Sequence, residues 1–125
     1  MLIKPNFRFR SVNDITPEFL ASKGIKGLIL DLDNTLTLHD SNEPQPGVMN
    51  WLDTMRENNI KLMIVSNNTP QRVEPTANKF SLSFVANGKK PLPSGYTKAR
   101  QIMNLSKKQI AAVGDQIFTD ILGGR

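Results

Sequence analysis

Two aspartates, Asp31 and Asp33, follow the apolar segment 27–30 and are the residues of this sequence most suited to chemistry. The apolar run predicts a buried strand, so both carboxylates should lie where that strand leaves the sheet. Carboxylates this close repel each other and lose solvation unless a cation compensates them. Carboxylate and phosphate oxygens are the usual ligands of Mg²⁺. We therefore expect a divalent metal and a phosphorylated ligand at this strand end.

The composition indicates one domain over residues 1–125 and narrows the possible chemistry. The chain has 38% hydrophobic residues and no cysteine, which excludes disulfides, zinc–thiolate sites and cysteine nucleophiles. His39 is the single histidine, so a metal here must be held mainly by oxygen, which favours Mg²⁺, Mn²⁺ or Ca²⁺. No run approaches the roughly 18 apolar residues of a membrane span. The N-terminus lacks a signal-peptide pattern, and we expect a cytoplasmic protein.

The net charge of +5 is concentrated in residues 72–108, which contain eight basic residues and one acidic residue, Glu74. A solvated basic surface explains this pattern. A field that attracts a phosphorylated metabolite, an anionic lipid surface or nucleic acid explains it as well. The segment 7–10 interleaves two phenylalanines with two arginines and fits a membrane surface and nucleic acid equally well.

The hydrophobic pattern predicts alternating helices and strands. Thr16 and Pro17 indicate the start of a first helix. The predicted strands are 26–32, 61–65, 83–86 and 109–113. The first two predicted helices are 17–23 and 46–57; a third starts at Pro70, and a fourth is capped by Ser94 and reaches 104. Strands that alternate with helices predict an α/β fold, a three-layer Rossmann-like parallel sheet with helices on both faces.

Polar residues follow each of the four predicted strands. Because the carboxyl ends of parallel strands share one edge, we expect these residues to converge there. They are Asp31 and Asp33, Ser66 and Asn67, Lys89 and Lys90, and Asp115 with Asp120.

This set contains the parts that phosphoryl transfer through an aspartyl phosphate requires. Asp31 can be the nucleophile, and Asp33 can act as acid and then as base. The Ser66 hydroxyl can hold a phosphate oxygen, and a lysine of the pair 89–90 can neutralise the phosphate. Asp115 can complete the metal site, with Asp120 as a supporting residue.

Four motifs in this order resemble those of the haloacid dehalogenase superfamily. They are Asp31-Leu32-Asp33-Asn34-Thr35, Ser66-Asn67-Asn68, Lys90-Pro91 and the segment 114–120 with Gly114-Asp115 and Thr119-Asp120. More narrowly, together with Thr16-Pro17-Glu18, the motifs resemble subclass III-like phosphatases of the YqeG type, which are related to mitochondrial-type phosphatidylglycerophosphate phosphatases. The resemblance covers residues 14–125.

The resemblance implies a role for each matching position and Mg²⁺ as the cofactor. Asp31 would be the nucleophile and Asp33 the acid/base. Ser66 and Asn67 would bind the phosphate together with Lys90, the lysine that a proline follows. The metal would be held by the Asp31 carboxylate, the Asp33 carbonyl and Asp115, and Thr35 would support the site.

Two departures from the family pattern bear on partners. Neither 33–61 nor 68–89 has room for a cap domain, so we expect an open site, compatible with a lipid headgroup presented at a membrane surface and a peripheral membrane location. The sequence stops at 121–125, where the family continues into another strand. The strand 109–113 would then be a sheet edge, which favours a homo-oligomer.

The function expected from these residues is Mg²⁺-dependent hydrolysis of a phosphomonoester, with phosphatidylglycerophosphate as one candidate substrate. A nucleotide, a sugar phosphate or a phosphoprotein is the alternative substrate. A different class is a non-catalytic module that binds phosphate or nucleic acid. A binding module has no need of Asp33, and we therefore favour the enzyme and disfavour nucleic acid as a partner.

Overall fold

The computed structural model describes residues 5–32, 35–38, 43–86, 92–114 and 117–120. Within them, strands and helices alternate along most of the chain. The strands are β1 (Pro5–Arg8), β2 (Gly27–Leu30), β3 (Lys61–Ser66), β4 (Ser83–Ala86), β5 (Ile110–Gly114) and β6 (Ile117–Asp120); the helices are α1 (Pro17–Ser22), α2 (Val48–Glu57), α3 (Pro70–Phe80) and α4 (Leu92–Met103). Two short 3₁₀ turns, Val12–Asp14 and Lys107–Gln109, precede α1 and β5.

One six-stranded sheet has the order β1-β6-β5-β2-β3-β4. The four strands β5, β2, β3 and β4 are parallel, and β6 is antiparallel to both of its neighbours. The parallel part confirms the predicted α/β fold. Helices connect its strands because a parallel pair needs a crossover connection.

The expectation that strand 109–113 would be a sheet edge is wrong. β5 pairs with β6, from Ala111 with Asp120 to Gly114 with Ile117, and β6 pairs with β1. Because β6 pairs with β5, the backbone groups on that side of β5 are paired. The edge strands are β1 and β4, and the predicted oligomer has no support from an exposed β5.

Two apolar cores lie on opposite faces of the sheet. One contains the stripe of α2 that the helical spacing predicts, Val48, Trp51, Leu52 and Met55, together with side chains of α1 and α3. The other lies under α4, where Ala99 and Met103 pack on β2, β3 and β4 side chains. Helices thus cover both faces, as predicted for a three-layer fold.

Helix boundaries differ from the prediction at two N-termini. α2 begins at Val48 instead of Pro46, because Gly47, with φ of 81°, turns the chain into the helix. α4 begins at Leu92, so Ser94 lies inside the helix and does not cap it. Pro93 is compatible with this earlier start because the first turn of a helix does not need its N–H. The cap predicted at Thr16 is present, and its Oγ1 accepts from the Phe19 N–H at 3.1 Å.

Between the candidate motifs, the described residues form helices and strands of the sheet fold. Residues 43–86 contain only α2, β3, α3 and β4 besides their connections. After β2, an isolated antiparallel bridge joins Thr37 to Pro44. The expectation of a site without a cap domain stays a prediction.

Candidate active site

Asp31 lies directly beyond the last residue of β2. The four residues of β2 are all buried, whereas Asp31 is exposed. Its backbone N–H donates to the Val113 carbonyl at 2.9 Å and continues the pairing with β5 one residue past the strand. The backbone of Asp31 is therefore held by the sheet while its carboxylate reaches solvent at the carboxyl edge, where open α/β sheets bind ligands.

Gly114, the last residue of β5, leaves room for Asp31. A Cβ atom at this glycine would lie 2.9 Å from the Asp31 Cβ and 3.5 Å from its Oδ2. Real side chains do not approach this closely, so any larger residue at 114 would displace the aspartate. The absent side chain of Gly114 thus determines where the Asp31 carboxylate lies.

The segment after Asp31 folds into a tight turn around Leu32. The Leu32 carbonyl accepts from the backbone N–H groups of Leu36 and Thr37, at 3.1 and 3.2 Å, and from the Thr37 hydroxyl at 3.3 Å. Thr35 lies within this turn and is buried. The supporting role that the resemblance implies for Thr35 stays a prediction.

Ser66 ends β3 on the same edge of the sheet. β2 and β3 pair in parallel with Leu30 beside Ile64, so Asp31 and Ser66 both lie beyond the last paired residues of β2. Ser66 is only 8% exposed, and its Oγ accepts from the Asn68 N–H at 3.1 Å. Asn67 and Asn68 are exposed.

The turn after Ser66 leads into α3, whose N-cap is Thr69. The first N–H groups of a helix have no partner within the helix and attract anions. A hydroxyl, exposed amide side chains and this helix start therefore lie together next to Asp31. This combination suits the oxygen atoms of a phosphate.

Tyr96 also lies in this region, although its helical spacing predicted only a position in the core. Its ring packs against the core that contains Ile29, Val65 and Val85, beneath the edge of the sheet. Burial raises the pKa of the Tyr96 hydroxyl above 10.0, and the nearby Asp31 carboxylate raises it further. The hydroxyl is therefore protonated at neutral pH and lies within the electrostatic range of Asp31. Helical spacing predicted the buried ring, but no sequence signal related it to Asp31.

The remaining predicted site residues lie outside the described part of the chain. They are Asp33, Lys90 and Asp115, and nothing is described of the side chain of Asp120. Lys89, the other lysine of the pair 89–90, also lies outside the described part. Among the described residues, no three acidic or histidine side chains form a group that could hold a metal. The structure therefore places Asp31, Ser66 and Asn67 at one sheet edge. The proposed metal ligands Asp33 and Asp115 stay predictions.

The parallel sheet with helices on both faces and an exposed aspartate at its carboxyl edge places the chain among Rossmann-like α/β proteins. Comparison with known proteins gives the family. The family model of the haloacid dehalogenase-like hydrolases matches residues 37–125. The chain is 37% identical over 120 residues to the "Probable phosphatase YqeG" of Bacillus subtilis (strain 168), covering 96% of this chain and 70% of that protein. The chain belongs to the haloacid dehalogenase-like hydrolases, as the motifs predicted.

Solved structures of related fold include two 3-deoxy-D-manno-octulosonate 8-phosphate phosphatases. The cobalt-bound enzyme of Haemophilus influenzae (YrbI) has a TM-score of 0.59 at 16% identity, over 74% of this chain and 60% of that one. The Moraxella catarrhalis enzyme, in complex with magnesium ion, phosphate ion and a KDO molecule, also has a TM-score of 0.59 at 16% identity, over 81% of this chain and 64% of that one. The chain thus spans less than two thirds of either structure, and the likeness shows the shared fold.

The described helices include none long and apolar enough to cross a membrane.

Proposed function

We propose that this protein is a magnesium-dependent phosphomonoester hydrolase that works through a phosphorylated Asp31. The observation that carries the proposal is the position of Asp31, whose backbone is held against β5 while its carboxylate is exposed beside the Ser66 turn. A nucleophile must be oriented and accessible, and a phosphate acceptor must lie next to it. The similarity to a probable phosphatase supports the same conclusion.

In the proposed reaction, an Asp31 carboxylate oxygen attacks phosphorus and the bond from phosphorus to the ester oxygen breaks. Asp33 gives its proton to the departing alcohol. Water then attacks the phosphorus of the aspartyl phosphate and gives its proton to Asp33, which releases inorganic phosphate and restores the Asp31 carboxylate. Ser66 and Asn67 hold the phosphate oxygens, and Lys90 balances their charge.

Magnesium is the ion that we propose because the candidate ligands are all oxygen atoms. The chain has no cysteine and one histidine, so soft or imidazole-rich sites are not available. The Asp31 carboxylate, the Asp33 carbonyl and Asp115 would hold the ion, and Asp120 and Thr35 would support them. When bound, it would offset the repulsion between the phosphate and the attacking carboxylate.

The substrate that we propose to test first is phosphatidylglycerophosphate. It is supported by the resemblance of the motifs to the YqeG type and by the basic residues at 72–108, which suit an anionic surface. A cytoplasmic protein that contacts the membrane peripherally fits this substrate. A nucleotide, a sugar phosphate and a phosphopeptide complete the panel as the alternative substrates.

The test is hydrolysis of this panel with Mg²⁺ and with EDTA, using Asp31→Asn and a matched variant, Asp53→Asn. Asp53 is an exposed carboxylate of α2 that pairs with Arg56 on the same helix at 3.3 Å. We expect Asp31→Asn to lower kcat by at least about 10³-fold and Asp53→Asn to leave it unchanged. Full activity of Asp31→Asn would overturn the covalent mechanism. Binding of phosphate without turnover of any substrate would show a binding module instead.

A further inference from the structure

A second concave site lies at the β1 side of the sheet. It is an aromatic pocket of about 320 Å³, and five apolar side chains form most of its wall. They are Phe7, Phe9, Ile15, Phe19 and Phe118; Arg8, Arg10 and Asp14 complete the lining. Pockets of this volume with an apolar wall and a few charged groups are typical small-molecule sites.

The end of β1 that lines the aromatic pocket lies at the same edge of the sheet as Asp31. Arg8 pairs with Ile117, which pairs with Gly114, the residue that contacts Asp31. Phe9 and Arg10 continue beyond β1 in the same direction. Three strand spacings of about 4.8 Å separate β1 from β2, which places the pocket about 14 Å from the end of β2 along this edge.

The wall of the pocket favours an alkyl chain over a flat ring. Phe7, Phe19 and Phe118 meet edge to face, with ring planes 61° to 86° apart and centroids 5.1 to 6.1 Å apart. No two of these three rings form a parallel slot for a nucleobase. The Lys23 ammonium lies 4.4 Å from the centre of the Phe7 ring and occupies one face of it.

The rim of the pocket favours a negative group. Arg8 and Arg10 are exposed beside it, and Lys23 adds a third cation over Phe7. The carboxylate of Asp14 accepts from the backbone N–H groups of Arg10 and Ser11, at 3.3 and 3.4 Å, and so caps the short turn that follows. Among the described residues that line the pocket, Asp14 is the one carboxylate, and these two N–H groups engage it.

The ring of Phe7 remains 42% exposed although it contacts two other aromatic rings. Phe118, on the neighbouring strand, is almost completely buried. The apolar wall is therefore continuous with the core but is covered incompletely on its outer side. A ligand chain that packs against Phe7 would remove this surface from water.

We propose that the aromatic pocket binds the alkyl chain of an anionic amphiphile, whose charged group contacts Arg8 and Arg10. The chain lies against Phe7 and Phe19, and the negative group remains at the rim. Such a ligand contacts both the apolar wall and the basic rim of the pocket. A nucleobase has no parallel pair among these three rings to stack between, and a small inorganic anion leaves the apolar wall exposed to water.

The test compares octanesulfonate with methanesulfonate, two anions that cannot be hydrolysed, by isothermal titration calorimetry on the full chain. We expect octanesulfonate to bind at least about tenfold more tightly, because each methylene removed from water contributes to binding. Chemical shifts of Phe7, Ile15 and Phe19 should change on its addition. Equal affinity of the two anions, or shift changes elsewhere in the protein, would overturn the proposal.

Matched variants separate the apolar wall from general effects of substitution. Phe7→Ala should remove most of the preference for the longer anion, while Met49→Ala, which removes an equally exposed (42%) side chain from α2, should keep it. Arg8→Gln should weaken the binding of octanesulfonate several-fold, and Lys107→Gln, an equal charge change at a distant turn, should not. A preference that survives in Phe7→Ala would refute the assignment.

Two further binding measurements identify the kind of ligand that supplies the alkyl chain. Vesicles of phosphatidylglycerol report a bilayer, and adenosine monophosphate reports a nucleotide. Phe7-dependent binding of vesicles with no binding of monomeric octanesulfonate would replace the pocket by a membrane-contact surface, and tighter binding of the nucleotide would overturn the alkyl assignment. These measurements need no turnover, so they succeed or fail independently of the proposed phosphatase activity.

Discussion

Gly114 and Asp31 are in contact across two neighbouring strands, and the contact leaves no space for a side chain at position 114. The Cβ that alanine would add lies 2.9 Å from the Asp31 Cβ. The strand end that carries the candidate nucleophile is thus positioned by a residue that has no functional group. This relationship leads to a test of how exactly the carboxylate must be placed.

Gly114→Ala should lower kcat/KM by about 10- to 100-fold, because small displacements of a reacting group have effects of this size. The cost in stability should be about 1–3 kcal/mol from overpacking. Kinetics and thermal unfolding of the purified variant measure the two effects.

Gly27→Ala is the matched control for this substitution. The added Cβ would lie 2.6 Å from Leu105 Cδ1, at the opposite end of β2 from Asp31. Because the atom it meets is the end of a flexible side chain, the cost in stability should be smaller than for Gly114→Ala. The kcat/KM per folded molecule should not change. Equal kinetic effects of the two variants would contradict a specific role for the contact between Gly114 and Asp31.

Ser66→Ala should raise KM and lower kcat/KM by about tenfold or more, because the variant lacks the hydroxyl that we propose as a phosphate contact. The Asn68 N–H also loses its acceptor, which should reduce stability by about 1 kcal/mol. Steady-state kinetics with inorganic phosphate as a competing inhibitor measures the loss of phosphate affinity. Ser83→Ala, at the exposed start of β4, is the control and should behave as the wild type.

Tyr96 is the single tyrosine of the chain, so the ultraviolet absorbance of phenolate reports its ionisation alone. Burial and then Asp31 raise its pKa above 10.0. Asp31→Asn removes the second cause and should lower the pKa of Tyr96, while Glu57→Gln, at the end of α2, should not move it. A pKa unaffected by Asp31→Asn would show that the two side chains are not coupled.

The same raised pKa predicts a loss of stability at alkaline pH. Above pH 10.0 the unfolded chain releases the phenolic proton while the folded chain keeps it, so the free energy of unfolding falls as pH rises through this range. The contribution of Tyr96 is fully present below pH 10.0. Urea unfolding at several pH values should show a shallower alkaline decline in Tyr96→Phe; an unchanged slope would be contrary to this expectation.

Trp51→Phe should destabilise the fold by about 1–3 kcal/mol. The Trp51 Nε1 donates to the Ile15 carbonyl at 2.8 Å in a buried position, and phenylalanine leaves that carbonyl unsatisfied. This bond joins α2 to the segment before α1. Urea unfolding followed by circular dichroism measures the change, and Met49→Ala, on the exposed side of α2, should cost much less.

The central elements follow from local pattern. The stripe Val48, Trp51, Leu52 and Met55 predicted the buried side of α2, and strand 83–86 has the predicted limits. Thr16 and Pro17 start α1 as their capping chemistry requires. These features were predictable because spacing and capping act between residues close in sequence.

The strands β1 and β6 were not predicted. Each has four residues, and their pairing joins Pro5 with Thr119 across most of the chain. Short strands at the side of a sheet depend on a distant partner, which no local pattern identifies. Segment 7–10 was interpreted only as an aromatic and basic surface, although it also supplies the last two residues of β1 and part of the wall of the aromatic pocket.

The sequence by itself determined the family, the order of the motifs and the residue types available for chemistry, because these depend on which side chains follow the apolar runs. The tertiary structure decided that the Asp31 side chain is exposed while its backbone is hydrogen-bonded to β5, and that Gly114 leaves room for it. It also placed Tyr96 where the Asp31 charge raises the pKa of its hydroxyl. It also brought β1 to the same sheet edge as Asp31. These relationships join residues far apart in sequence, and only the pairing of strands and the packing of helices on the sheet determine them.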